Sequence, residues 1–389
     1  MKNTTPMFMA LCALTLLILS GCGTKTDTTM PIQENAADKT PIKIGWIGPL
    51  TGAGSAYGLM ELNAAKIAVK DINDAGGING RQIELSVEDG KCDGPTTVTA
   101  TNKLTEVDNV KYIAGGHCST ETFAMIPITE SKKVMIVALT SSDKFTGSGN
   151  YSFRTTPSQS VYIANLGDFA YKTGSRKIAT LSEQKDFSDS VIRVFTKSFE
   201  EHGGRIVAKE TFAPGTVDFK TQLIKIKEQN PDALMLSAQG PDSAAAMITQ
   251  IQDLDLPQQI YGDIIVVSPS TYNKTGGKLP PTAYGGTVHS DLDRNQKTRN
   301  FLAKYLLINP GQMPLDPFFA AEGYDQITVL SDVIKSCGDD TDCARSTITT
   351  KEWDGMMGKF RFDSNGDATP MAAIVRIVGG KQVFEGDTQ

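Results

Sequence analysis

Apolar positions along this chain alternate between short continuous runs and longer stretches with one apolar face. The run from Ile42 to Gly48 predicts a buried strand. Tyr57 to Ala75 predicts a helix whose Leu62, Ala65, Val69 and Ile72 share a face. Strands follow at Ile83 to Asp89, Lys111 to Ala114 and Val134 to Leu139, then a helix from Ser158 to Lys172 and a strand from Lys177 to Ser182. Asp189 to His202 predicts a helix with Val191, Phe195 and Phe199 spaced four apart. Arg205 to Phe212, Ala233 to Ser237, Gln259 to Gly262 and Gly286 to His289 read as strands, with helices beginning at Asp218 and Asp242 and another from Asp293 to Leu307. The last apolar strand is Ala372 to Val378. Such alternation predicts parallel sheets with right-handed crossovers, an α/β doubly wound architecture.

The N-terminus follows a different pattern. Lys2 precedes an apolar run from Met7 to Leu19, shorter than the roughly 20 residues that span a bilayer, which reads as a secretory signal. The run ends in Leu19-Ser20-Gly21-Cys22, which resembles the lipobox of bacterial lipoproteins, where cleavage leaves the cysteine as the lipid-modified first residue. Residues 23–40 carry no aromatic side chain and little apolar content, too little to offset their ordering entropy, and read as a tether reaching roughly 20 to 25 Å as a coil. Residues 1–21 are thus expected to be a signal and 22–40 a flexible tether. The body is expected outside the cytoplasm, anchored to the cell membrane through Cys22.

A body of this length suits two domains better than one core. Three passages between them are expected, at Thr155-Thr156-Pro157-Ser158, near Ser290, and where Gly366 breaks the chain. The corresponding lobes are 41–156 with 290–366, and 157–289 with 367–389.

The net charge is −6, and no Arg/Lys cluster with interleaved aromatics occurs, so nucleic acid is not an expected partner. Cys12 falls in the signal and Cys22 takes the lipid, leaving Cys92, Cys118, Cys337 and Cys343. These allow three pairings; Cys92 with Cys118 and Cys337 with Cys343 is favoured, since the short loop between the latter two could close locally. Metal binding is the alternative, against which His117, His202 and His289 stand scattered without ligand spacing. No cofactor or metal is expected.

Catalytic signatures are also missing: G-x-S-x-G and H-E-x-x-H do not occur, and Gly276-Gly277-Lys278 runs into Leu279 where a phosphate loop needs a hydroxyl. Asp363 to Asp367 resembles the start of a calcium loop, but it lacks the glycine and glutamate such a loop requires and reads as a turn. Trp46 and Trp353 read as packing residues.

The stretch 115–122, GGHCSTET, lies between a strand and a helix. Its glycines permit close backbone approach, and Ser119 and Thr120 suit an N-cap that leaves backbone N–H groups for a carboxylate or phosphate. Together with IKIGWIGPLTG at 42–52, YGLMELNAAKIAVKDINDAGGING at 57–80, EDGKCD at 88–93, VKYIAGGHCST at 110–120, DFKTQLIKIKEQNPDAL at 218–234 and EGYDQ at 322–326, it resembles the leucine/isoleucine/valine-binding proteins that serve amino-acid ABC transporters. That resemblance implies a type 1 periplasmic binding fold, two Rossmann-like lobes with parallel sheets joined by three hinge crossovers. It implies capture of an aliphatic, branched-chain-type amino acid or related carboxylate by a non-enzymatic monomer and delivery to a permease; the alternative is a ligand-sensing subunit signalling to a partner protein.

The same resemblance assigns residues. Ser119, beside Thr120, would grip the ligand carboxylate; Leu139 would act through its backbone, with Thr140 and Ser141 beyond it; Tyr57 would form an aromatic wall. Cys92–Cys118 would be the family's disulfide, worth roughly 3 to 4 kcal/mol as a closed loop and pinning the Ser119 turn. Phe187 and Gln239 stand where the family has tyrosines. The acid that pairs with the α-amino group falls on Ile264, with Asp263 beside it. A one-residue slip would make Asp263 that partner; without it, a simple carboxylate or an amide becomes the ligand.

Overall fold

The computed structural model describes residues 39–288, 296–310, 316–369 and 372–385. Cys22, the signal and nearly all of the tether lie outside the described residues, as does His289.

The chain opens with β1 (Ile42–Gly48), α1 (Ser55–Asp74), β2 (Ile83–Asp89), α2 (Gly94–Asn102), β3 (Tyr112–Gly115), α3 (Ser119–Lys132), β4 (Met135–Ala138) and β5 (Ser152–Arg154). Their strands form one parallel sheet in the order β2-β1-β3-β4-β5. A parallel sheet covered on both faces needs strands apolar on both faces. β1 meets that requirement: Ile42, Ile44 and Trp46 join a core with Leu62, Ala65 and Ala68 of α1, while Ile47 joins the opposite one with Ala100, Met125 and Ile126.

Next come α4 (Gln159–Lys172), β6 (Lys177–Glu183), α5 (Asp186–Glu201), β7 (Arg205–Phe212), α6 (Lys220–Glu228), β8 (Ala233–Ser237), α7 (Pro241–Asp253), β9 (Ile260–Gly262), α8 (Pro269–Lys274) and β10 (Ala283–Val288). After these stand α9 (Gln296–Ile308), α10 (Pro317–Cys337), α11 (Thr341–Ile348), β11 (Trp353–Gly355), β12 (Gly358–Phe360), β13 (Ala372–Val378) and β14 (Lys381–Phe384). The second sheet runs β14-β13-β10-β9-β8-β6-β7. Its β7, β6, β8, β9 and β10 are parallel. β13 and β14 are antiparallel additions, a departure from purely parallel sheets. A two-residue turn at Gly379 and Gly380, both at positive φ, joins them as a hairpin, which alternation with helices could not forecast.

Several predicted bounds shift. α5 begins at Asp186, three residues before its periodic face becomes visible, and β10 begins at Ala283. The 21-residue helix α10 had no predicted counterpart. Its Phe318 and Phe319 face one core while Ile327, Leu330 and Ile334 face another, so apolar residues surround it and the one-sided period is lost. Its start was nonetheless signalled by Asp316 at the N-cap and Pro317 at the first helical position.

Trp46 is fully buried and Trp353 nearly so, both in the core that α10 shares with the first sheet. Asp363 forms a turn, its Oδ1 accepting from the N–H groups of Asn365 and Asp367. Cys92 is joined to Cys118 and Cys337 to Cys343.

Candidate functional site

Both sheets have their topological switch beside the first strand of the series, between β1 and β3 in one and between β6 and β8 in the other. Ligands of open α/β sheets bind beyond the carboxyl ends of strands at such points. A narrow cavity occupies that place. The first half contributes His117 after β3, Leu139 and Ser141 after β4, and Thr156 after β5. From the second come Phe187 after β6, Gln239 after β8, and Ile264 with Ile265 after β9. Tyr162 of α4 and the Phe318–Phe319 pair at the start of α10 complete the wall.

Of the residues singled out by sequence, Leu139, Ser141, Phe187 and Gln239 therefore line one cavity, while Tyr57, Ser119, Thr120, Thr140 and Asp263 do not. The physical reasons differ. Tyr57 is wholly buried behind the wall, stacked on His117 at 5.5 Å and tilted against Phe319 at 4.7 Å. The Ser119 hydroxyl accepts a hydrogen bond from Thr140 Oγ1 at 2.9 Å, and both side chains are buried. Thr120 donates across to Asp186 Oδ2 at 2.9 Å, linking the start of α3 to the start of α5.

The N-cap of α3 is Cys118, one residue earlier than expected. Glu121 completes a capping box: its carboxylate accepts from the N–H of Cys118 and, across the disulfide, from that of Cys92. Burial pushes the Glu121 carboxyl up to about 7, with those two N–H bonds opposing the rise. The sulfurs of Cys92 and Cys118 lie near Glu121 in a grouping that could suit a metal, but both are spent in the disulfide.

Asp263 lies outside the cavity lining. Its carboxylate takes the Ser237 hydroxyl at 2.6 Å and the Ala238 N–H on one oxygen, and the N–H groups of Ile265 and Val266 at 2.8 Å on the other. Four donors fold the segment after β9 around this side chain, turning it inward and presenting Ile264 and Ile265 to the cavity. Among the described residues that line the cavity there is no acid, and His117 is the one basic side chain.

His117 was passed over because it matched no ligand spacing, yet its partner carried a signal. Glu61 stands four residues after Tyr57, on the face of α1 that carries Tyr57, Ala64 and Ile67, a buried position where an acid is exceptional unless paired. Its Oε1 lies 2.6 Å from His117 Nδ1, both side chains buried. Burial disfavours the imidazolium, but the Glu61 carboxylate and, beyond it, Glu121 hold the His117 pKa above the ordinary histidine value. On the opposite side Glu183 orients Gln239, accepting its N–H at 2.8 Å.

At the floor, Arg154 is fully buried and pairs through Nε with Asp367 at 2.7 Å, donating also to the Ser142 carbonyl and to Thr146. The backbones of Arg154 and Asp367 form a bridge, so the passages near 155 and 366 are tied together. Elsewhere between the two halves, Lys185 Nζ reaches the Cys92 carbonyl at 2.8 Å, and Asp143 meets Ser190 and Arg193.

Comparison with known proteins agrees with this geometry. A curated relative, the leucine-, isoleucine-, valine-, threonine- and alanine-binding protein of Pseudomonas aeruginosa, is 24% identical over 340 residues, covering 84% of this chain and 87% of its own. The leucine binding protein of Thermotoga maritima superposes with a TM-score of 0.79 at 25% identity, covering 89% of this chain and 98% of its own. An R. palustris solute binding protein crystallised with benzoate shares the fold, with a TM-score of 0.79 at 21% identity over 89% of this chain and 96% of its own. The sequence profile described as periplasmic binding protein matches residues 41–382, and the chain belongs to that family.

Proposed function

We propose that this protein is an extracytoplasmic receptor that captures a small carboxylate with an apolar body and passes it to an ABC transporter permease. Its lobes are 41–156 with 290–366 and 157–289 with 367–389, closing like a hinge, and Cys22 is the lipid anchor. Hinge closure is supported by the two sheets facing one cavity and by the Arg154–Asp367 tie at the floor, where passages would flex. Binding rather than catalysis is supported by the names of the relatives compared above, each a binding protein.

The ligand class rests on one observation: Asp263 is saturated by four donors and turned away, so Ile264 and Ile265 occupy the place where an ammonium would need an acid. Burying an ammonium among Phe187, Ile264, Ile265 and Phe318 without a direct carboxylate partner costs several kcal/mol. The favoured ligand is accordingly a monocarboxylate lacking the α-amino group. Calorimetric titration of leucine against 4-methylpentanoate, its deamino counterpart, tests this. The acid should bind at least about tenfold more tightly; preference for leucine would return the protein to amino-acid binding.

A further inference from the structure

His117 lines the cavity with its imidazole on a rigid mount. Tyr57 stacks on one face, Phe319 meets it edge-on, and Glu61 holds Nδ1. A carboxylate on one ring nitrogen fixes which atom carries the proton there and leaves the other nitrogen to meet a ligand. No described residue bonds Nε2, although the side chain is 3% exposed.

We infer that His117, oriented by Glu61, is the ligand's charge partner: its Nε2–H donates to the carboxylate of the bound acid, and this pair sets the preference for an anion over its neutral amide. The inference rests on the carboxylate reading above and names the residue that enforces it. Four observations support it beyond position. Among the described lining residues no lysine or arginine competes for the role. The titratable groups facing His117 are acids: Glu61 on α1 and Glu121 on α3 favour the charged ring, while Glu322 of α10, its carboxyl pushed up to about 8 by burial, adds no charge at pH 6. Tyr57 is neutral, its pKa far above the ordinary tyrosine value through burial and the nearby Asp316. Ser141, also on the cavity wall, offers a hydroxyl for a second hydrogen bond from the neighbouring strand end.

Because the donor is an imidazolium, affinity for an acid should fall as pH rises through the His117 pKa, while affinity for the amide should not. The experiment uses the full-length protein and two matched pairs: 4-methylpentanoate with its amide, and 3-phenylpropanoate with its amide. Each is titrated calorimetrically between pH 6 and 9 into wild type, His117→Gln and Glu61→Gln, with thermal unfolding as the check on folding. Wild type should favour each acid it binds over its amide by about 10- to 100-fold at pH 6, the scale of one hydrogen bond to a charged group. His117→Gln should abolish that preference and its pH dependence. Glu61→Gln, which keeps shape and removes the charge behind the ring, should move the pH midpoint downward. An unchanged acid-to-amide ratio in folded His117→Gln, with wild type still binding an acid, would overturn the role of His117 alone. If wild type binds neither acid at any pH, the carboxylate reading fails and takes this inference with it.

Discussion

The two sides of the cavity are built on the same plan and do different work. Each comes from a parallel sheet with its switch beside the leading strand, and each delivers its residues from the carboxyl ends of strands. The first side brings the polar His117, Ser141 and Thr156 around Leu139, with Phe318 and Phe319 of α10 beside them. The second is more apolar, with Phe187, Ile264 and Ile265 beside Tyr162 and Gln239. Buried acids are distributed just as unevenly: Glu61, Glu121, Glu322 and Asp325 belong to elements packed on the first sheet, while the second keeps Asp263 and Glu183 for its own backbone. On the proposed reading, the first side holds a charged head through His117 and the second an apolar body.

The strongest way to break this arrangement is at the floor both sides share. Arg154→Met leaves Asp367 without its partner, and losing one member of a buried ion pair costs about 3–5 kcal/mol, read as a lower urea midpoint with an unchanged slope. Affinity for acid and amide should fall together, since no charge-selective residue has moved.

A second test uses the acids behind the first side. Burial pushes Glu322 up to about 8, and Glu121 and Asp325 up to about 7, well above ordinary carboxyl values. The folded state then holds protons that the unfolded chain has released, so stability is greatest below about pH 4.5 on this account and declines as pH rises toward 8. Glu322→Gln should flatten that decline and raise stability at pH 8 by on the order of 3 kcal/mol, measured by denaturant unfolding across pH. An unaltered pH slope would show that these acids are charged in the folded protein.

Phe187→Ala addresses the second side. Loss of a large apolar contact should weaken binding by about 1.5–3 kcal/mol, roughly 10- to 150-fold by calorimetry, equally for an acid and its amide. That equality separates it from the charge-selective loss expected at His117.

Ser119→Ala is the mildest. It removes one hydrogen bond, accepted from Thr140, and should cost about 0.5–1.5 kcal/mol of thermal stability while changing affinity less than threefold. A tenfold or larger loss of affinity would place the hydroxyl back on the ligand.

Much of this plan was legible in the sequence, and the gaps have physical causes. β1, β2, β7, β8 and β13 fall at their predicted bounds because apolar runs between turns constrain strands tightly. The turn after β3 is legible from its glycines and hydroxyls, whereas Leu139, Ser141, Phe187 and Gln239 come from the family resemblance; the structure brings these four to one cavity. Asp263 reads in sequence as a free charge, whereas in the structure four donors engage its carboxylate, which no local pattern announces. His117 and Glu61 were missed because their pairing spans 56 positions and no local spacing announces it. Phe318 and Phe319 were hidden by α10, whose all-round burial erases helical period.

Native mass spectrometry of gently purified protein, followed by identification of whatever small molecule leaves with it, tests the central claim most directly. The account predicts a monocarboxylic acid with an apolar body and no amino group. Recovery of leucine or another α-amino acid as the bound species would contradict it.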